Sequence, residues 1–121
     1  MVEEPVLQPE PLNQIRALQR PGAPSLLAKV IGIYLNNSPT LVQRLGKAVA
    51  QGDANALLEA AHSLKSSSAN LGATQLAALC KELEQRGRER RLAGVPELLQ
   101  ELETHYLRAR DALTLELRAV E

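Results

Sequence analysis

Aromatic residues are scarce in this chain, whose 121 residues include two Tyr, no Phe and no Trp. A β-sandwich draws on aromatic and β-branched side chains, whereas helices form readily from Leu and Ala. Since 45% of the residues are hydrophobic, the core must be built from Leu, Ala, Val and Ile. The composition therefore predicts an all-α fold.

Cysteine, long apolar runs and an excess of one charge are also missing. Cys80 is the single cysteine, so an internal disulfide is excluded. No run approaches the roughly 20 apolar residues of a transmembrane helix, and no stretch resembles a signal peptide. The 14 acidic and 14 basic residues balance, and no basic stripe with interleaved aromatics is present, which argues against nucleic-acid binding. We expect a cytoplasmic protein without direct membrane contact.

The chain is long enough for one domain with a single core. Residues 1–10 combine prolines and glutamates with little apolar patterning, which is typical of a linker or a chain end. Residues 11–121 are then the domain. It opens with a short helix from about Leu12 to Gln19, which we expect to cover one end of the remaining helices.

N-cap residues and prolines mark the starts of the later helices. These starts lie at Ser25, Ser38–Pro39, Asp53, Thr74 and Pro96. The signal at Pro39 predicts that the chain restarts or kinks there, which gives six helices in all. Because the long amphipathic segments are joined by short connections, they predict an antiparallel four-helix bundle with short additional N-terminal helix or helices.

The helix after Asp53, predicted to end at Gly72, carries a histidine outside its apolar stripe. At about 100° per residue, the stripe is centred on Leu64. It comprises Leu57, Ala60, Ala61, Leu64, Ser68 and Leu71. His62 projects about 160° from this centre and Lys65 about 100°, so both point towards solvent, one turn apart. An exposed imidazole with a cation beside it is a candidate phosphoryl carrier, because neutral imidazole is a competent nucleophile.

Small residues surround this histidine on the solvent side. Ser66 and Ala69 project near it, and Leu58 lies one turn before it. Such a surface leaves room for a partner protein and offers one apolar anchor. Arg88 can add a second cation if the next helix packs beside this one. The sequence shows no acidic cluster around His62 that could hold a metal ion.

The motif His62-x-Leu64-Lys65-Ser66-x-Ser68-x-x-Leu71-Gly72-Ala73 resembles the signature of histidine-containing phosphotransfer (HPt) domains. The resemblance continues into residues 80–84 and Gly87–Arg88, and with the helix pattern it covers roughly residues 10 to 120. Serine stands at position 66, where the family usually has glycine; it is still small enough for close docking.

The resemblance implies a phosphorelay intermediate rather than an autonomous kinase. His62 would accept a phosphoryl group from the aspartyl phosphate of one receiver domain and pass it to another, and Lys65 would stabilise the phosphate. The partners would be receiver domains of response regulators or of a hybrid histidine kinase, which would also supply Mg²⁺. We expect a monomer without a cofactor of its own, either free-standing or at the cytosolic end of a membrane-bound sensor kinase.

Two other hypotheses about the function of this chain remain open. Glu59-x-x-His62 is the spacing found in carboxylate-bridged di-iron bundles, although both residues project outward and His105 has Leu102 where a second pair needs glutamate. A purely structural bundle would keep the apolar stripes but needs no small residues around an exposed His-x-x-Lys. His105 lies at the edge of the last stripe and is expected to be structural.

Overall fold

The computed structural model describes residues 5–120, which form five helices and no strand. The helices are α1 (Pro9–Ala17), α2 (Leu26–Gln51), α3 (Ala54–Asn70), α4 (Thr74–Glu89) and α5 (Val95–Ala119). Helix α3 packs against α2 and most extensively against α4, and α5 closes the bundle against those two helices. Neighbouring helices joined by short loops run antiparallel, so the predicted all-α antiparallel four-helix bundle is confirmed.

The core is aliphatic, as the composition requires, and its largest fully buried side chains include Ile31, Leu45, Leu64 and Leu102. Both tyrosines are buried, and each hydroxyl pairs with a buried serine at 2.8 Å: Tyr34 with Ser68, and Tyr106 with Ser38. Buried polar groups need such partners, so these pairs join α2 to α3 and to α5. The inward position predicted for Ser68 is confirmed.

Helix α2 is continuous through Pro39, so the predicted restart and the count of six helices are wrong. Proline inside a helix removes one backbone hydrogen bond and costs about 3 kcal/mol. The inward-facing residues nevertheless alternate at spacings of four and three across the proline: Leu27, Ile31, Tyr34, Ser38, Leu41, Leu45 and Ala48. Burial of this stripe outweighs the local cost. Ser38 bonds Tyr106 and caps no helix.

The other helix ends follow the sequence signals in most cases. Ser25 Oγ accepts from the Ala28 N–H and Asp53 Oδ1 from the Ala56 N–H, as predicted for N-caps. Thr74 is the first residue of α4, whose N-cap Ala73 makes no side-chain bond, so the predicted cap is wrong. Helix α3 ends at Asn70, and Gly72 has φ +85°, a left-handed conformation that favours glycine.

Part of the predicted N-terminal linker packs on the bundle. Val6 and Leu7 lie against the core, and the Gln8 N–H donates to the Gly72 carbonyl at 2.8 Å. Helix α1 begins at Pro9, earlier than the predicted Leu12, and contacts α2 and α3. Residues 1–4 of that linker lie outside the described residues. Gln8 therefore joins the described part of that linker to the α3–α4 turn.

A glycine sets the close approach of α4 to α3. A Cβ added at Gly87 would lie 2.8 Å from the Ala54 carbonyl oxygen and 2.9 Å from the Leu58 nitrogen. Both atoms belong to the α3 backbone, which cannot move aside as a flexible side chain would. Gly87 thus permits the spacing at which α4 side chains reach the solvent-facing edge of α3.

Candidate functional site

His62 lies on the outer surface of α3, as its helical phase predicts. Its side chain is 63% exposed, while its neighbours Ala61 and Leu64 are fully buried. The imidazole is therefore accessible to a large partner, and α3 is anchored on both sides of it.

A carboxylate from α4 contacts this imidazole. Glu84 Oε2 lies 3.0 Å from His62 Nδ1, although the Glu84 residue is only 5% exposed. Lys65 Nζ donates to both Glu84 oxygens, at 2.9 and 3.0 Å, and an Arg88 guanidinium nitrogen lies 3.6 Å from Oε1. The structure therefore joins His62, Lys65 and Arg88 through one buried acid.

These contacts keep Glu84 ionised. The hydrogen bond from Lys65 is the largest cause that holds the pKa of the Glu84 carboxyl below its usual value; burial opposes it, and the hydrogen bond with His62 adds to it. An ionised carboxylate can only accept hydrogen bonds. His62 Nδ1 must therefore carry the hydrogen, and in the neutral ring Nε2 holds the free lone pair.

Sequence reasoning assigned no role to Glu84, although a signal was present. Glu84 follows Cys80 by four residues and precedes Gly87 by three, and both of those residues are buried on the inner face of α4. A glutamate at the edge of an inward stripe must find a partner, because an unpaired buried charge is costly. The outward Lys65 and His62 of α3 are those partners.

The residues expected on the docking surface lie on the histidine's side of the fold. Ser66 and Ala69 are exposed, Leu58 is half-buried, and the Arg88 side chain is 58% exposed. Ser66 Oγ donates to the His62 carbonyl at 3.2 Å, and Ser67 Oγ donates to the Ser63 carbonyl at 3.0 Å. These local bonds accommodate the serines within the helix.

The sequence model described as "Hpt domain" matches residues 29–116. The chain belongs to the Hpt domain family. Among solved structures, histidine-containing phosphotransfer protein B (HptB) from Pseudomonas aeruginosa PAO1 is similar, with a TM-score of 0.88 and 28% sequence identity. The match covers 98% of this chain and 100% of that one. A comparison with curated proteins found no significant match.

Membership assigns this Hpt domain to histidine phosphotransfer in phosphorelays, where domains of this family are phosphocarriers that interact with receiver domains. The matched region runs from the first turn of α2 into the last turns of α5. It therefore contains the whole cluster around Glu84, whereas α1 lies outside it.

In the described part of the Hpt domain, the remaining sequence candidates form no hydrogen bond or ion pair with Glu84. His105 is half-buried on α5, and Glu59 is exposed on α3. Within residues 5–120, no group of three or more His, Cys, Asp or Glu side chains could hold a metal ion. Over the same residues, no helix is long and apolar enough to span a membrane.

Proposed function

We propose that this Hpt domain takes a phosphoryl group onto Nε2 of His62 from the aspartyl phosphate of one receiver domain and passes it to the aspartate of another. One observation carries the proposal: the buried Glu84 carboxylate contacts Nδ1 of an imidazole whose side chain is 63% exposed. The lone pair of Nε2 is therefore left free in the neutral ring. The carrier has no kinase activity of its own in this proposal.

The transfer needs no redox or proton-transfer partner. The Nε2 lone pair forms a bond to phosphorus, and the bond from phosphorus to the aspartyl oxygen breaks, so the electron pair of that bond stays on the departing carboxylate. Unloading reverses these changes on a second aspartate. Catalysis of such a loose, in-line displacement is mainly a matter of position and of charge near the phosphoryl oxygens.

We propose that Lys65 and Arg88 supply that charge. Lys65 Nζ donates to the Glu84 carboxylate, which also contacts the His62 imidazole, and the lysine side chain is 28% exposed. A flexible ammonium can move from a carboxylate to a nearby phosphoryl group as a point charge. Arg88 approaches the same carboxylate from one turn further along α4. We assign Lys65 to phosphate stabilisation and Arg88 to the edge of the docking surface.

Magnesium is assigned to the receiver domain. The Glu84 carboxylate already forms hydrogen bonds with Lys65 and His62. Two cationic side chains lie beside it and disfavour binding of a divalent cation there. The residues around Glu84 therefore do not fit a metal site, and we propose that the domain has no cofactor of its own.

The proposed docking surface consists of Leu58, Ser66, Ala69 and Arg88 around His62. Its partner is a receiver domain of a response regulator or of a hybrid histidine kinase. The small Ser66 and Ala69 side chains allow the receiver's aspartate to approach Nε2, while half-buried Leu58 is the apolar anchor. We propose that the domain acts as a monomer in the cytoplasm, without contact with nucleic acid or membrane.

The test is transfer of labelled phosphate from a phosphorylated receiver domain to wild-type protein and to His62→Gln. The wild type should gain acid-labile label, and His62→Gln should gain none, while its circular dichroism spectrum stays unchanged because the ring is exposed. His105→Gln is the matched control and should be labelled like the wild type. Label on His62→Gln would refute the assignment.

A further inference from the structure

The contact between Glu84 and His62 Nδ1 is most important once the ring carries a phosphoryl group. Its carboxylate accepts the Nδ1 hydrogen, while phosphorylation takes place at the other ring nitrogen. The contact is therefore compatible with a phosphorylated ring, in which Nδ1 is the nitrogen left without a phosphoryl group. The inference below rests on the proposed function, because it concerns the same ring in its phosphorylated state.

Two forms of a ring phosphorylated at Nε2 differ in how easily they release the group. If Nδ1 holds its proton, the electron pair of the broken bond between phosphorus and Nε2 stays on Nε2, and the ring departs as neutral imidazole. If Nδ1 has lost the proton, the same bond cleavage produces the imidazolate anion, a much more basic leaving group. The protonated form is therefore the competent phosphodonor.

We infer that Glu84 is a positioning residue that keeps the proton on Nδ1 of phosphorylated His62, so that the loaded ring remains a good phosphodonor at neutral and mildly alkaline pH. A carboxylate that accepts a hydrogen bond from a cationic ring stabilises that form over the neutral one. A glutamine at this position could still accept the hydrogen bond, but it would bring no negative charge.

The groups around Glu84 are consistent with this role. Lys65 from α3 and Arg88 from α4 are the cations that face it, and both are free to turn towards a phosphoryl dianion once one is present. Cys80, one turn earlier on α4, stays neutral, because burial raises the pKa of its thiol to about 12. Within residues 5–120, α5 contributes no ion pair to this carboxylate.

The acid form of Glu84 does not interfere in the relevant pH range. Its pKa lies below the usual value, with the Lys65 hydrogen bond as the leading cause. Even an unperturbed glutamate is ionised well below neutral pH, so the negative charge beside Nδ1 remains at neutral and mildly alkaline pH, also when Lys65 has turned towards the phosphoryl group.

The experiment compares the pH dependence of phosphohistidine hydrolysis in wild type and Glu84→Gln, both loaded with phosphoramidate and followed by ³¹P NMR. The two rates should meet at acid pH, where both rings are protonated. As the pH rises, the hydrolysis rate should begin to fall about one pH unit lower in Glu84→Gln than in the wild type. This shift corresponds to a tenfold change in the protonation equilibrium of the ring. Glu59→Gln is the matched control, because Glu59 is an exposed glutamate one turn before His62 on α3. Its profile should follow the wild type.

Identical dependence of the hydrolysis rate on pH in wild type and Glu84→Gln would overturn the inference. A shift of the pH profile in Glu59→Gln as large as that in Glu84→Gln would also overturn it. A second measurement needs only the wild type: the ¹⁵N shift of Nδ1 in the phosphorylated chain, titrated when folded and when unfolded in urea. The folded chain should hold the proton to higher pH, and coincident titrations would contradict the role of Glu84. Failure to load His62 at all would refute the proposed function together with this inference.

Discussion

Position 66 lies one turn after His62 on the exposed face of α3, where its side chain would limit the space for the proposed partner. Ser66 is exposed, and its hydroxyl bonds the His62 carbonyl, so only a small group extends beyond the helix surface. The family pattern has glycine at this position. A bulky side chain here should obstruct a protein partner more than a small phosphodonor.

Ser66→Tyr should therefore weaken binding of the receiver domain about tenfold or more, by the steric exclusion that a misplaced large side chain causes at the centre of an interface. The inward stripe of α3 is untouched, so folding should persist. Titration calorimetry measures the affinity, and loading by phosphoramidate should remain near the wild-type rate. Ser66→Ala, which loses the hydroxyl without gaining bulk, is the control and should bind normally. Unchanged affinity in Ser66→Tyr would show that the receiver approaches over another surface.

The sequence predicts the orientation of single side chains well, but it predicts their contacts with other helices poorly. The phase of α3 placed His62 and Lys65 outward and Ser68 inward, because helical periodicity is a local property. The contact of His62 with Glu84 depends on the rotation and distance of α4 relative to α3, which no local pattern specifies. A glutamate at the edge of an apolar stripe was the available signal, and only the packed helices identify its partners.

The pairing of α3 with α4 is the element on which the site depends. Gly87 allows the two backbones to approach, and Glu84 lies one turn before it on α4. Any separation of the helices at Gly87 should also move the Glu84 carboxylate away from His62 Nδ1. The resemblance to the family included Gly87, but the reason for glycine at this position follows only from the backbone atoms that it faces.

Gly87→Ala should consequently destabilise the domain by about 1–3 kcal/mol, the usual cost of overpacking, although alanine is the better helix former. Gly46→Ala is the matched control, because an added Cβ at helical Gly46 meets nothing within 4 Å. It should be neutral or stabilising by up to about 1 kcal/mol. Urea denaturation measures both free energies of unfolding. Equal effects of the two substitutions would mean that the α3–α4 contact tolerates a methyl group.

Helix α2 shows where local signals are overridden. Ser38 followed by Pro39 has the composition of a helix start, yet the buried stripe continues through it and the Ser38 hydroxyl bonds Tyr106 across the core. Tertiary burial decided between one helix and two. The caps at Ser25 and Asp53 were predictable because they involve only the first turn of their own helices.

The whole molecule is a bundle whose aliphatic core holds one imidazole on its surface. Its fold class and its family could be predicted from composition, helical phase and the motif around His62. The attachment of Gln8 to the α3–α4 turn could not be predicted, since it is a backbone hydrogen bond to Gly72. In the proposed function, the molecule supplies an exposed nucleophile, two cations and a buried acid, and the receiver supplies the rest of the chemistry.

The central claim is that this bundle carries a phosphoryl group on Nε2 of His62. The most direct measurement is the ³¹P–¹⁵N coupling in ¹⁵N-histidine-labelled protein after transfer from a phosphorylated receiver domain. We expect a coupling to Nε2 of His62, with Nδ1 still protonated and bonded to Glu84. A coupling to Nδ1, a phosphoryl group on His105, or phosphate bound to no histidine nitrogen would contradict it.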